Sequence, residues 1–435
     1  MTISDDELIE RIRASLAQQA EQIDTGPAMW SDYVEHAVLE QDRPPSRRPS
    51  RSLVALAVAA SLVVGLLAVR HARRDGRVSL SAVSTIAAVP TSAPIVAPSS
   101  AEPPDRAVPN GFRPRSVTYV SPSHGFVLGS YPCEGGCETL VETVDGGSRW
   151  HRIGTVPSEL QFPARVNGLA SAGVRFADDL RGWIYGPGLF ETTDGGTSWA
   201  RVALPDWSDG DLVSSLETGA GQVDALIERV LPSPGVRLVQ SRLASSTWTT
   251  VLTTDGSGAA RSMTLQKGEV RIAVESPGGV QLVTFRSGAD PERRSLGCDT
   301  GTSAAIAAYG VNDVTVVCSE PALTGRKTVR VSHDGGLSFR TVGSTPTGMG
   351  FVASVAMADP RTIVVAGSGG VLVVSLDGGQ SWTTIPEDAL GGAQWHDLGF
   401  TTEQRGVAVL DTGDASRLLQ SIDGGRTWNA VTFSA

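Results

Sequence analysis

From about residue 112 onward, apolar and polar positions alternate in short β-branched runs, broken every few residues by Gly, Pro, Ser and Asp. No 3.6-residue period runs through this part of the chain, so the pattern predicts half-buried strands joined by tight turns. One eight-residue stretch recurs within it: TVDGGSRW at 143–150, TTDGGTSW at 192–199, SHDGGLSF at 332–339, SLDGGQSW at 375–382 and SIDGGRTW at 421–428. The segments SVTYVSPSHGFVLGS, GVRFADDLRGWIYGP, SVAMADPRTIVVAGS and DLGFTTEQRGVAVLD each precede one copy by a similar interval. Each unit therefore reads strand, turn, strand, loop, strand, DGG turn, strand. That is a four-stranded antiparallel meander of about 40–50 residues.

The repeated turn serves folding at every position. A DGG step between two strands suits a hairpin whose glycines supply positive φ. The third residue (Asp145, Asp194, Asp334, Asp377, Asp423) can accept hydrogen bonds from turn amides, and the first (Thr143, Thr192, Ser332, Ser375, Ser421) can add another. Gly147, Gly196, Gly336, Gly379 and Gly425 complete the bend, and Trp150, Trp199, Phe339, Trp382 and Trp428 open the outer strand and cover the side of the sheet. The aromatics lie 49, 43 and 46 residues apart where copies are adjacent, and 140 apart between Trp199 and Phe339. That gap holds two more units. SRLASSTW at 241–248 keeps Ser241, Ser245, Thr247 and Trp248 but has Leu243 for the aspartate, and 261–288 keeps strand patterning without the turn. Seven such units predict an all-β, seven-bladed β-propeller over 112–435.

The first hundred residues read differently. SLVALAVAASLVVGLLAV, residues 52–69, is 18 residues without a charge, long enough for one membrane-spanning helix. Residues 1–50 carry ten Asp/Glu against five Arg, and Ser4 and Glu7 have capping-box spacing ahead of Leu8, Ile9, Ile12, Leu16, Ala20 and Ile23 on one helical face. This predicts an acidic, membrane-proximal helical tail, or alternatively a docking helix for a cytoplasmic partner. Residues 78–110 are dense in Pro, Ser and Ala and predict an extended linker. Arg43, Arg47, Arg48 and Arg51 before the span balance Arg70, Arg73, Arg74 and Arg77 after it, so arginines do not orient it. All four cysteines follow the span, which predicts a cytoplasmic N-terminus and a propeller in an oxidising, extracytoplasmic compartment.

A net charge of −10 excludes nucleic acid as the natural partner. His36, His71, His124, His151, His333 and His396 show no ligand spacing, and there is no P-loop or dinucleotide fingerprint, so neither metal nor cofactor is expected. Only Lys267 and Lys327 are lysines, which with abundant Ala, Gly and Val points to a high-GC, actinobacterial-type genome. Cys133 and Cys137 fall between the second and third strands of unit one. Cys298 falls between units four and five, and Cys318 ends the second strand of unit five. All four open onto the face opposite the DGG turns, predicting Cys133–Cys137 and Cys298–Cys318 disulfides that either only tie down loops or stiffen a working face there.

The eight-residue turn resembles the Asp-box, or BNR repeat, of sialidases, xyloglucan-type glycoside hydrolases, sortilin-type receptors and photosystem II assembly-factor propellers. The segment before each box is most similar to the seven-bladed assembly-factor-like group, anchored envelope forms included. Sialidase chemistry implies an F-R-I-P motif and a tyrosine nucleophile. Here the corresponding place reads Phe112, Arg113, Pro114, Arg115, and none of Tyr119, Tyr131, Tyr185 and Tyr309 has a nucleophile's context. For a two-carboxylate hydrolase the candidates are Asp178, Asp179, Asp206, Glu387 and Asp388, all outside the boxes. The expected function is a membrane-anchored, non-catalytic propeller that binds an envelope protein or glycan. The alternatives are a glycoside hydrolase or a transmembrane sensor, and no residue is assigned a catalytic role.

Overall fold

The computed structural model describes residues 106–433 except 135–136, 158–172, 230–234, 256–259, 277, 300–301, 320–324, 369, 386–393 and 412–414. The helical tail, the apolar segment 52–69 and most of the linker lie outside the described residues. Each of the seven predicted units folds as its own four-stranded antiparallel sheet, with strands hydrogen-bonded in chain order. Blade 1 holds β1 (Arg113–Tyr119), β2 (Gly125–Tyr131), β3 (Cys137–Thr143) and β4 (His151–Thr155). Blade 2 holds β5 (Gly173–Phe176), β6 (Gly182–Tyr185), β7 (Leu189–Thr192) and β8 (Ala200–Arg201). In blade 3 are β9 (Asp211–Gly219), β10 (Gln222–Arg229), β11 (Gly235–Arg242) and β12 (Thr249–Asp255). Blade 4 follows with β13 (Ala260–Gln266), β14 (Glu269–Ser276), β15 (Gly279–Arg286) and β16 (Glu292–Ser295). Blade 5 comprises β17 (Ser303–Tyr309), β18 (Asp313–Ser319), β19 (Thr328–Ser332) and β20 (Arg340–Ser344). Blade 6 comprises β21 (Val352–Met357), β22 (Ile363–Gly367), β23 (Leu372–Ser375) and β24 (Thr383–Ile385). Blade 7 closes the chain with β25 (Gln394–Phe400), β26 (Gly406–Asp411), β27 (Ser416–Ser421) and β28 (Asn429–Ala430).

The first strand of each blade is innermost. β1, β5, β9, β13, β17, β21 and β25 neighbour one another in order, and β25 and β26 return to β1 to close the ring. The meander then places the two hairpin turns of each blade, including the DGG turn, on one face. The β2–β3-type loops and the connections between blades lie on the other.

The core is divided among the blade interfaces, because a twisted sheet hydrophobic on both faces must be covered on both. Between blades 1 and 2, Phe126, Leu128 and Leu140 pack on Val174, Phe176, Ile184 and Phe190, with Phe126 stacked on Phe176. Between blades 6 and 7, Val364, Leu372 and Val374 meet Trp395, Ala408, Leu410, Leu419 and Trp428. Among the described residues, no blade borrows a strand from the other end of the chain. The seam between blades 7 and 1 is instead held by side chains: Val407, Val409 and Leu418 against Val117, Val127, Val141 and Trp150, with Phe433 edge-on to Phe112.

Candidate functional site

The five boxes share one hydrogen-bond scheme. In blade 6 the Ser375 hydroxyl accepts the Gly379 N–H at 2.8 Å and donates to Asp377 Oδ1 at 2.8 Å. Asp377 Oδ1 also accepts the Gln380 and Ser381 N–H groups at 3.0 and 2.9 Å, and Oδ2 takes the Ser381 hydroxyl at 2.5 Å. The Ser381 hydroxyl and amide bonds hold the Asp377 carboxyl at about 2, below the ordinary carboxylate range. Asp194 and Asp334 are lowered in the same way, chiefly by the hydroxyls of Ser198 and Ser332. Burial would raise Asp145 and Asp423, yet turn amides and hydroxyls still carry both below the usual value. In blade 1 position seven is Arg149, so Asp145 accepts its amide at 2.9 Å but no side-chain hydroxyl there. The fourth-position amide of each box donates to the inner hairpin of the same blade, as Gly378 N to Arg361 O at 2.8 Å. The box thus ties the two turns of a blade together, and its carboxylate is occupied in doing so.

Among the described residues, the candidate hydrolase carboxylates do not assemble. Asp178 caps its own turn, accepting the Leu180 and Arg181 amides at 2.9 and 2.7 Å. Asp179 bonds His124 Nδ1 on blade 1 at 2.7 Å. Asp206 lies on the opposite face, in the blade 2–3 connection, with φ of 52°. Glu387 and Asp388 fall outside the described residues. Among the tyrosines, burial pushes Tyr119 up to about 12, and Tyr309 donates to Glu403 at 2.5 Å.

Two polar clusters were not legible in the sequence. At the centre of the ring, Asp397 sits at a register irregularity of β25 with φ of 49°, a backbone region costly for a non-glycine residue. Its carboxylate accepts the Ser116 hydroxyl and the Val117 N–H (2.9 Å) of blade 1, and pairs with Arg175 of blade 2 at 2.7 Å. Burial opposes ionisation of Asp397, but Arg175 and these hydrogen bonds carry its carboxyl below the ordinary value. Nearby, burial raises Glu217, and raises Asp224 to about 6 although Gln222 and Gln240 donate to it. The arrangement clasps blades 7, 1 and 2. The second cluster lies on the box face, where Glu142 receives His124 Nε2 at 2.6 Å and His151 Nε2 at 3.0 Å. The partners of both clusters come from different strands or blades, so sequence spacing carries no signal for them.

On the face opposite the boxes the structure forms both disulfides, Cys133–Cys137 and Cys298–Cys318. The two differ in setting. Cys133 is exposed at the β2–β3 loop, whereas Cys298 and Cys318 are buried in the apolar contact between blades 4 and 5. The second is therefore a core element as much as a loop tie.

A closed ring of seven four-stranded blades, with its DGG turns satisfied from within, defines a seven-bladed repeat β-propeller. The chain belongs to the photosynthesis system II assembly factor YCF48 family, matched over residues 107–413. It is 25% identical over 290 residues to the photosystem II assembly lipoprotein Ycf48 of Synechococcus sp. (strain CC9902), spanning 63% of this chain and 75% of that protein. It is 38% identical over 96 residues to the chloroplastic photosystem II stability/assembly factor HCF136 of Arabidopsis thaliana, 21% of each chain. The solved YCF48 structure from Cyanidioschyzon merolae superposes with a TM-score of 0.51 at 19% identity, covering 73% of this chain and 98% of that one.

Proposed function

We propose that this chain is a non-catalytic assembly propeller, held at a membrane by residues 52–69, that binds a protein partner through the face opposite its Asp-boxes. The observation that carries the reading is the family match, which runs through most of the ring and joins the chain to assembly factors. The geometry supports it: the box carboxylates are consumed by their own turns, and Asp178 and Asp206 sit on opposite faces. In this reading residues 1–50 are cytoplasmic, 78–110 form the extracytoplasmic linker, and the disulfide-tied loops of blades 1 and 5 present the binding surface. The apolar run at 52–69 and the placement of every cysteine after it support the anchor and its orientation. The test is cross-linking of the full-length chain in its native membrane. One defined partner, cross-linked through residues 132–134 and 325–326, is expected, with no sugar released from chromogenic glycosides. Glycoside hydrolysis that disappears in an Asp206→Asn variant would overturn the reading.

A further inference from the structure

Six large apolar residues are strongly exposed among the described residues, and five of them share the box face. Val144 (60%), Leu376 (40%) and Ile422 (64%) are the second residues of boxes 1, 6 and 7. Leu337 (61%) is the sixth residue of the blade 5 box, and Leu180 (60%) tips the inner hairpin of blade 2. The box explains why such positions face outward, since its first and third side chains turn in to bond the turn. It does not explain why they are aliphatic. Blade 2 has Thr193 and blade 5 has His333 at position two with the same turn hydrogen bonds. The turn chemistry therefore leaves the aliphatic choice open.

From this distribution we infer that the box face rests on a lipid bilayer, with these five side chains entering the headgroup–acyl boundary. The inference rests on the membrane-anchored reading above and adds which face meets the membrane. Three observations favour lipid over protein. The tips are spread over blades 5, 6, 7, 1 and 2, so only a flat partner reaches all of them, whereas protein hot spots cluster centrally and favour aromatics. Exposed Arg149, Arg340 and Arg426 stand within or beside the same boxes as aspartates that already have turn partners, a mixture of signs that a headgroup layer accommodates. The chain also carries its own bilayer-length apolar segment, 52–69, and only residues 70–105 separate it from the first described residue of the propeller.

The experiment uses the full-length chain in phosphatidylcholine vesicles with a carbene-generating acyl-chain photolabel, mapped by mass spectrometry. Labelling is expected on 52–69 and on the turns holding Val144, Leu180, Leu337, Leu376 and Ile422, with none on Cys133–Cys137. Label on 52–69 but on no box turn would sink the inference and leave the anchor standing. A chain that fails to join the vesicles would instead remove the anchor on which the inference rests. A Val144→Ser/Leu337→Ser/Ile422→Ser variant should keep its circular dichroism and its anchoring while labelling of the box turns falls about tenfold. Unchanged labelling in that variant would show that the side chains do not drive the contact. Loss of a cross-linked protein in it, with no lipid label on the wild-type turns, would reassign the face to protein.

Discussion

Blade 3 lacks an intact box, and its outer strand is longer than that of any of the five blades that have one. In blades 2 and 7 the outer strand is two residues long, Ala200–Arg201 and Asn429–Ala430, and in blade 6 it is three. In blade 3 it runs seven residues, Thr249–Asp255, paired from Gly235↔Asp255 to Gln240↔Thr249. In blades 2, 6 and 7 the box network stands beside a short ladder, whereas blades 1 and 5 combine it with five-residue outer strands, His151–Thr155 and Arg340–Ser344. Blade 3 also shows the remnant: Ser241 keeps position one, but its hydroxyl donates to the Ser245 carbonyl at 3.1 Å instead of accepting a glycine amide. Losing the aspartate and the glycines thus leaves the remaining serine as a donor only.

The largest difference is expected where a box meets its neighbour. A Cβ at Gly343 of β20 would lie 2.5 Å from the Gly379 carbonyl oxygen in the next blade's box, a backbone atom that cannot step aside. Gly343→Ala should cost about 2–4 kcal/mol in denaturant unfolding. Gly221→Ala in blade 3, with φ of +79° and nothing within 4 Å, should cost about 1 kcal/mol. Equal losses would mean that boxes do not couple blades.

Next in size is removal of a hydroxyl. Ser375→Ala strands the Gly379 amide and one acceptor bond of Asp377 in a buried turn, about 2 kcal/mol, whereas Ser241→Ala gives up only carbonyl contacts and should lose under about 1 kcal/mol. Thermal melts of the two variants side by side decide it.

The disulfides should separate similarly when each is removed in turn. Cys298–Cys318 closes a sequence separation of 20 within the blade 4–5 core, while Cys133–Cys137 closes a separation of 4 across strands already paired at Tyr131↔Cys137. Loss of the first should cost about 3 kcal/mol and loss of the second about 1 kcal/mol, measured on Cys→Ser pairs. A larger loss from the exposed pair would contradict the ladder argument.

The smallest effect is one of pH, and its sign differs between the two kinds of blade. Asp377 is held at about 2, below its unfolded value, so its contribution is complete above about pH 4 and disappears as pH falls towards 2. Asp224 of blade 3 is raised to about 6, so protonation favours the fold and its contribution fades as pH rises from about 4 through 6. Asp377→Asn should flatten stability below pH 4, and Asp224→Asn should flatten it between 4 and 6. The same flattened window in both variants would remove the distinction.

The boxes were readable in the chain because everything they need lies within eight residues. Ser421 reaches Asp423 and Gly425, and Asp423 reaches Thr427, all in one turn. Strand number, blade number and the two weak blades follow from the same local repeat. The candidate carboxylates were only partly readable. Asp178 proved to cap its turn, a local act, while Asp179 turned out to serve His124 in another blade.

By itself, then, the sequence determined a seven-fold all-β repeat and the turn chemistry that closes most of its blades, since period and short-range hydrogen bonding are properties of neighbouring residues. Tertiary structure alone decided how the ring is sealed. Asp397, Ser116 and Arg175 meet although they come from blades 7, 1 and 2, and Gly343 faces the Gly379 carbonyl across an interface. It also gathered five aliphatic tips onto one face. A strand's alternation says which residues point away from the sheet, but only the closed ring fixes which of them share a surface.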